Sequence, residues 1–490
     1  MDKENKNVGI KGQVMSGLFW KFGERIIAQG VSFVVTMLLA RLLLPEEYGI
    51  VALVMVFINL ANVFVTTGLG DALVQRAQAT RKDFSTIFYC GVGVSAVLYI
   101  IIFFSAPWIA DFYDNQQLIL VLRVLSIQIP LSSVKTVQHA YVQRHMIFRK
   151  FFWSTLGGTL ISGVVGIAMA YAGYGVWALV AQYLVNSVID MLILFITVNW
   201  KPHLEFDRKS AREMLNFSWS LVLSSFINEF YLELKSLLIG KYYREADLAS
   251  YNKGNQFPAL LINNINASIS SVLFPAMAKC GDDPVALKNI TRKSIRLSTY
   301  ILLPMLAGLM AVAKPLVQLL LTDNWLPCVP FLQISCIFWM FQPSQTANVQ
   351  AIKAAGRSDI CLKLELVKKV IGVLLILVTI RINVYAVVIA NAAFAGISAC
   401  INIIPNKKLI HYGTWEQLRD VLPSIFLSLL VFFSAGVCLR LPLGSFAMLV
   451  VQICVGAAVY IAGSFILKVD SFYYLLNHLK AYFCKNGREQ

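Results

Sequence analysis

The sequence predicts an all-α integral membrane protein of about fourteen transmembrane helices. It further predicts two six-helix lobes related by a pseudo-two-fold axis along the membrane normal, followed by two additional C-terminal helices. Three observations carry this expectation. The 490 residues are 58% hydrophobic and only 14% charged, with a mean hydropathy of +0.68, whereas a soluble chain of this length would hold two to four domains and far more charge. Basic residues alternate regularly from loop to loop. A weak internal repeat runs through most of the chain.

The apolar residues fall into runs of roughly 20, long enough to cross a ~30 Å hydrocarbon core at 1.5 Å per residue. The first run, 15–40, follows a polar N-terminus, is too long for a secretory h-region and lacks a small-residue cleavage site, so it is expected to serve as the insertion signal. The next runs are 48–67, 84–108, 117–142, 151–171 and 176–198, completing a first lobe over residues 1–200. A second lobe over 201–410 contains 214–240, 247–275, 294–313, 327–352, 364–380 and 384–404. Runs 421–439 and 446–467 form the added pair in 411–490. The fourth, eighth and tenth are polar enough for a hydropathy scan to miss one of them.

Loop charge fixes the expected orientation. With the N-terminus placed in the cytoplasm, 27 of the 42 Lys and Arg residues lie in the N-terminal segment, the even-numbered loops and the C-terminal tail, against 6 in the odd-numbered loops. This positive-inside bias predicts two cytoplasmic termini and an even number of spans. The formal charge of +16 therefore reports topology and contact with membrane lipid, and no nucleic acid is expected as a partner. Nine scattered cysteines lack any CxxC pair or nearby histidine at ligand spacing, so neither metal nor disulfide is expected.

The repeat supports the two-lobe reading. Ala40-Arg41-Leu-Leu-Leu-Pro-Glu-Glu47-Tyr-Gly is answered 200 residues later by Gly240-Lys241-Tyr-Tyr-Arg-Glu-Ala-Asp247-Leu-Ala. Ala106-Pro107-Trp-Ile pairs with Lys314-Pro315-Leu-Val, and Val176-Trp-Ala178-Leu-Val180 with Val384-Tyr-Ala386-Val-Val388, both at an offset of 208. A six-helix repeat unit is even, so both copies keep one membrane orientation, as in transporters that rock two bundles about a central site.

A charge near the bilayer centre is costly, about 2.5–3.5 kcal/mol on insertion scales, and normally faces a bundle interior or a wet cavity. Helical spacing identifies several such stripes. On the first span Lys21, Glu24, Arg25, Gln29, Ser32 and Thr36 share one side. They suit a cavity wall offering cations to an anionic substrate, or snorkelling to the headgroups with Glu24 as a local counter-charge. The fourth span presents Gln128, Ser132, Lys135, Gln138 and His139. On the seventh, Glu229 and Glu233 stand one turn apart, fit either for ion coupling or for neutralising Lys21, Arg25 or Lys135. The eighth carries Asn252, Asn255, Gln256, Asn263 and Asn266, whose amides offer the donors and acceptors that sugar hydroxyls require, or else interhelical hydrogen bonds. No P-loop, nucleophile elbow or metal-ligand cluster appears, so neither an enzyme nor a cofactor is expected.

Motifs in a consistent order sharpen this picture. They are Gly68-Leu-Gly-Asp71 with Val74-Gln75-Arg76, Gly173-Tyr-Gly175-Val-Trp-Ala-Leu-Val180, Val272-Leu-Phe-Pro275-Ala-Met-Ala-Lys279 and Asn324-Trp325. On these the chain resembles the Wzx-type polysaccharide flippases, the colanic-acid-exporter-like branch of the multidrug/oligosaccharidyl-lipid/polysaccharide exporter superfamily. The resemblance implies a flippase of the bacterial inner membrane that moves an undecaprenyl-pyrophosphate-linked oligosaccharide repeat unit for exopolysaccharide, capsule or O-antigen synthesis. It also implies a polysaccharide polymerase and a chain-length regulator as partners. The family has no strict signature to transfer, so the expected substrate-binding residues remain those of the stripes, with Glu24, Glu229 and Glu233 for coupling or charge pairing. A cation-coupled multidrug exporter of the same superfamily is the alternative; it would call for a carboxylate- and aromatic-rich cavity, whereas the first lobe's stripes are net cationic.

Overall fold

The computed structural model describes residues 27–75, 80–280 and 283–477, which include seventeen α-helices and two 3-10 turns up to residue 466, a further helical stretch over 470–477, and no strand. In chain order the first seven helices are α1 (Gln29–Leu42), α2 (Pro45–Gln75), α3 (Arg81–Phe112), α4 (Gln117–Leu125), α5 (Gln128–Arg144), α6 (Arg149–Tyr171) and α7 (Val176–Thr197). Then come α8 (Arg208–Tyr242), α9 (Glu245–Ala278), α10 (Pro284–Ala311), α11 (Ala313–Leu320), α12 (Cys328–Met340) and α13 (Gln342–Ala354). The last four are α14 (Ser358–Thr379), α15 (Val384–Leu409), α16 (Thr414–Val437) and α17 (Ser445–Ile466).

Helix occupies every segment expected from the sequence, as far as it falls within the described residues. Nine of the described segments are long and apolar enough to cross a membrane, the fourth among them once α4 and α5 are taken together. The polar α8, α9 and α14 fall outside that set, and α12 and α13 are each too short. The chain is a multi-pass membrane protein.

Local chemistry sets the helix ends. Thr80 and Asp83 form a capping box at α3: the Asp83 N–H donates to the Thr80 hydroxyl at 3.3 Å, and the Thr80 N–H donates to the Asp83 carboxylate at 2.8 Å. Asp283 accepts from the N–H groups of Val285 and Ala286 ahead of α10, with Pro284 at the first helical position. The turn between α6 and α7 contains Gly173 and Gly175 at φ of +80° and +56°, a region that a Cβ would strain. The fourth and tenth spans are both broken midway, at Ser126–Ile127 and at Phe341. In each, a proline (Pro130, Pro343) falls in the first turn of the second half, where its missing N–H costs no helical bond.

Contacts divide the chain into two compact units, Met1–Ala249 and Ser250–Gln490, with the division in the first turns of α9. In the first unit α6 packs on α7, α1 on α6, and α2 on α5 and α8. Thus α8 lies along α2, within the first unit. Small residues allow these approaches: a Cβ on Gly163 would stand 2.6 Å from Val35 of α1, and one on Gly157 would stand 2.6 Å from Ile193 of α7. In the second unit α10 packs on α16, α16 on α17, and α15 on α12, α13 and α14.

Each unit has a dry core at the end of its helices near the basic loops. Leu73, Phe84, Val137, Val142, Trp200 and Met214 belong to the first. Leu273, Met277, Leu287, Ala347, Ile410 and Tyr412 belong to the second.

Candidate functional site

The first unit contains a polar cavity of about 270 Å³ lined by Thr66 and Gly70 of α2 and by Ser132, Lys135, Thr136, His139 and Gln143 of α5. Lys135 donates from Nζ to Asp190 Oδ2 of α7 at 3.0 Å, and the two side chains are 20% and 15% exposed. The Ser154 hydroxyl of α6 also donates to the Asp190 carboxylate. His139 lies over the Phe151 ring at 4.6 Å. The cavity therefore presents one ammonium whose counter-charge stands behind it on a neighbouring helix.

The expected stripe on the fourth span is only partly one surface. Ser132, Lys135 and His139 reach the cavity, while Gln128 donates to the Ser187 hydroxyl at 2.9 Å. Gln138 turns into the protein, 1% exposed, and donates to the Trp200 carbonyl at 3.4 Å. On the first span, Gln29 is exposed at the start of α1, whereas Lys21, Glu24 and Arg25 lie outside the described residues. Arg123, off the stripe, donates to the Phe103 carbonyl at 3.1 Å and covers that ring at 4.4 Å.

On α8, Glu233 accepts from Asn59 of α2 at 2.9 Å, and Glu229 sits one turn away, half-buried. The carboxylate that meets Lys135 is Asp190 rather than either of these two.

The amides of the eighth span lie in the second unit and have separate surroundings. Asn255 accepts from the Trp339 indole at 2.9 Å, and Gln256 accepts from Lys253 at 3.4 Å. Asn266 donates to the Thr346 hydroxyl at 2.8 Å, Asn252 is half-buried and Asn263 exposed. Two charged groups escaped the sequence reading. Asp190 is the sole carboxylate of its apolar run, and an isolated residue creates no stripe. Lys253 sits on the apolar edge of the amide face, is 5% exposed, and lies 5.8 Å from the Trp325 ring.

A third cluster also went unseen. Asp420, its side chain fully buried at the start of α16, receives the Arg292 guanidinium through two bonds of 2.7 and 2.8 Å, together with Arg296 and the Tyr412 hydroxyl at 2.8 Å. Burial, then the bond to Asp420, pushes the Tyr412 phenol above its ordinary range. Residues 128 positions apart meet here, which helical periodicity does not reveal.

Residues 38–330 match a family model described as polysaccharide biosynthesis protein. The chain belongs to this family. The resemblance read from the motifs thus holds at family level. Among its relatives, the succinoglycan biosynthesis transport protein ExoT of Rhizobium meliloti (strain 1021) is 24% identical over 72% of this chain and 71% of its own length. The lipopolysaccharide biosynthesis protein WzxC of Escherichia coli (strain K12) is likewise 24% identical, over 74% of each chain. The fold is that of the lipid II flippase MurJ in its inward closed conformation, with a TM-score of 0.74 at 14% identity over 92% of this chain and 98% of that one.

Proposed function

We propose that this member of the polysaccharide biosynthesis family is a flippase of the bacterial inner membrane. Its cargo is an undecaprenyl-pyrophosphate-linked oligosaccharide repeat unit, moved by alternating access with both termini in the cytoplasm. The observation that carries the reading is Lys135: a half-buried ammonium at the wall of a polar cavity, in a chain whose relative ExoT is named a succinoglycan biosynthesis transport protein. A cation costly to keep among apolar helices is retained where an anionic headgroup can reach it. The pyrophosphate meets Lys135, joined by Lys21 and Arg25 of the first span. The sugars meet the amides of α9, and the polyprenyl tail stays in lipid. No covalent bond changes, so the protein is a transporter and not an enzyme.

Asp190 gives the site a second property. It holds Lys135 in place while the cavity is empty of cargo and must share that ammonium once phosphate arrives, which limits affinity and favours release. Glu229 and Glu233 are the groups we assign to ion coupling. A polysaccharide polymerase and a chain-length regulator are the partners that would consume the flipped unit.

The test is export in a strain lacking the native gene and complemented with variants of matched membrane abundance. Lys135→Ala is expected to abolish surface glycan and leave lipid-linked repeat units on the cytoplasmic side, with Lys135→Arg retaining most export. Normal export by Lys135→Ala would remove the pyrophosphate role from this residue. Normal export by both Glu229→Gln and Glu233→Gln would remove coupling from that pair.

A further inference from the structure

In the second unit a basic pocket of about 380 Å³ lies between α10 and residues 470–474, which follow α17. It is lined by Asn289, Arg292, Lys293, Arg296, Asp470 and Tyr474, among others. Lys293 is exposed and stands 4.0 Å over the Tyr474 ring. Arg292 and Arg296 are committed on one side to Asp420, and Arg296 also approaches Asp470 at 3.4 Å. Among the described residues, the ion-pair network of Lys288, Arg292, Lys293 and Arg296 with Glu416, Asp420 and Asp470 has one cation in excess.

Leu297 lines the pocket's apolar edge, and one turn further along α10 Ile301 and Met305 line a second, apolar groove of about 410 Å³ that also includes Leu449 and Ile453 of α17. A basic recess and an apolar groove in succession along α10 have the polarity profile of a single amphiphile. The uncommitted cation among the described residues, Lys293, suits the single negative charge of a phosphodiester.

We infer that this site holds a resident acidic phospholipid, with its phosphodiester on Lys293 and Arg296, an acyl chain along Ile301, Met305 and Ile453, and the appended pair α16–α17 secured against α10 through it. Basic pockets between transmembrane helices recognise acidic headgroups by this chemistry.

The experiment uses the purified full chain, delipidated in neutral detergent, with thermal unfolding and native mass spectrometry as readouts. The probes are dioleoyl phosphatidylglycerol, dioleoyl phosphatidylcholine, inorganic phosphate and undecaprenyl pyrophosphate. Phosphatidylglycerol is expected to raise the melting temperature saturably and to remain bound at one copy per chain. Lys293→Ala should weaken it about fivefold to tenfold, near the value of one surface cation. Lys293→Arg should restore binding, and Lys408→Ala, at the exposed end of α15, should leave it unchanged. Equal shifts with phosphatidylcholine, or an unaltered affinity in Lys293→Ala, would overturn the site. An equal shift with inorganic phosphate would make it a free-anion site, and displacement of the bound lipid by equimolar undecaprenyl pyrophosphate would make it a cargo site. Either result also overturns the inference.

Discussion

Lys135 and Asp190 make a pair in which each member is costly without the other. Removing one partner of a buried ion pair destabilises by about 3–5 kcal/mol, chiefly because a charge is left uncompensated. With 15–20% of each side chain exposed, the lower end of that range applies here. Asp190→Ala alone is therefore expected to lower the detergent melting temperature, and the double variant Lys135→Ala/Asp190→Ala to recover most of the loss. If the substrate role is right, the double variant folds but does not export, which separates stability from transport in one cycle. Glu233→Gln makes a different case. Its amide oxygen still accepts from Asn59, so the melting temperature should move little, and any loss of export then reports on charge.

At the scale of the element, close helix approach is the property most open to test. A Cβ on Gly49 of α2 would stand 2.0 Å from the backbone carbonyl oxygen of Glu245, an atom that no rotamer change can move. Gly49→Ala is expected to destabilise by about 1–3 kcal/mol through overpacking. Gly30→Ala, where nothing lies within 4 Å, should be neutral or stabilising by about 0.5–1 kcal/mol through helix propensity. Parallel thermal unfolding of the two variants checks the contrast. Which segments become helices was legible in the sequence, because run length and loop charge are properties of single elements. The midpoint breaks at Ser126–Ile127 and Phe341 were less so. Pro130 and Pro343 mark them, yet a proline alone does not distinguish a kink from the start of a new helix. Of the stripe on the fourth span, Ser132, Lys135 and His139 line the polar cavity together. Gln138 lies 60° back from Lys135 at 100° per residue, far enough to face the Trp200 carbonyl instead. Asp190 could not be paired with Lys135 from sequence, since the pairing depends on how α5 meets α7.

Across the whole molecule, the Asp420 network governs how the appended pair is held. It ties α16 to α10 through a carboxylate with no exposed side-chain surface and two arginines about one-third exposed. Asp420→Ala leaves those arginines facing each other, and a loss of about 2–3 kcal/mol is expected, discounted for the solvent that reaches them. Limited proteolysis should then cut first near residues 410–413, ahead of α16, while the first unit stays protected.

The ion pair of the polar cavity also bears on how the protein is made. Lys135 leaves the ribosome 55 residues before Asp190. At about 5–20 residues per second, the helix bearing the ammonium waits roughly 3–11 seconds for its counter-ion. During that interval α5 carries an unmatched charge of the kind that a translocon partitions poorly into lipid, at about 2.5–3.5 kcal/mol. Stable insertion of the fourth span thus depends on synthesis of the sixth. Nascent chains arrested before Asp190 should hold α5 at the translocon, and those arrested beyond it should release both helices together.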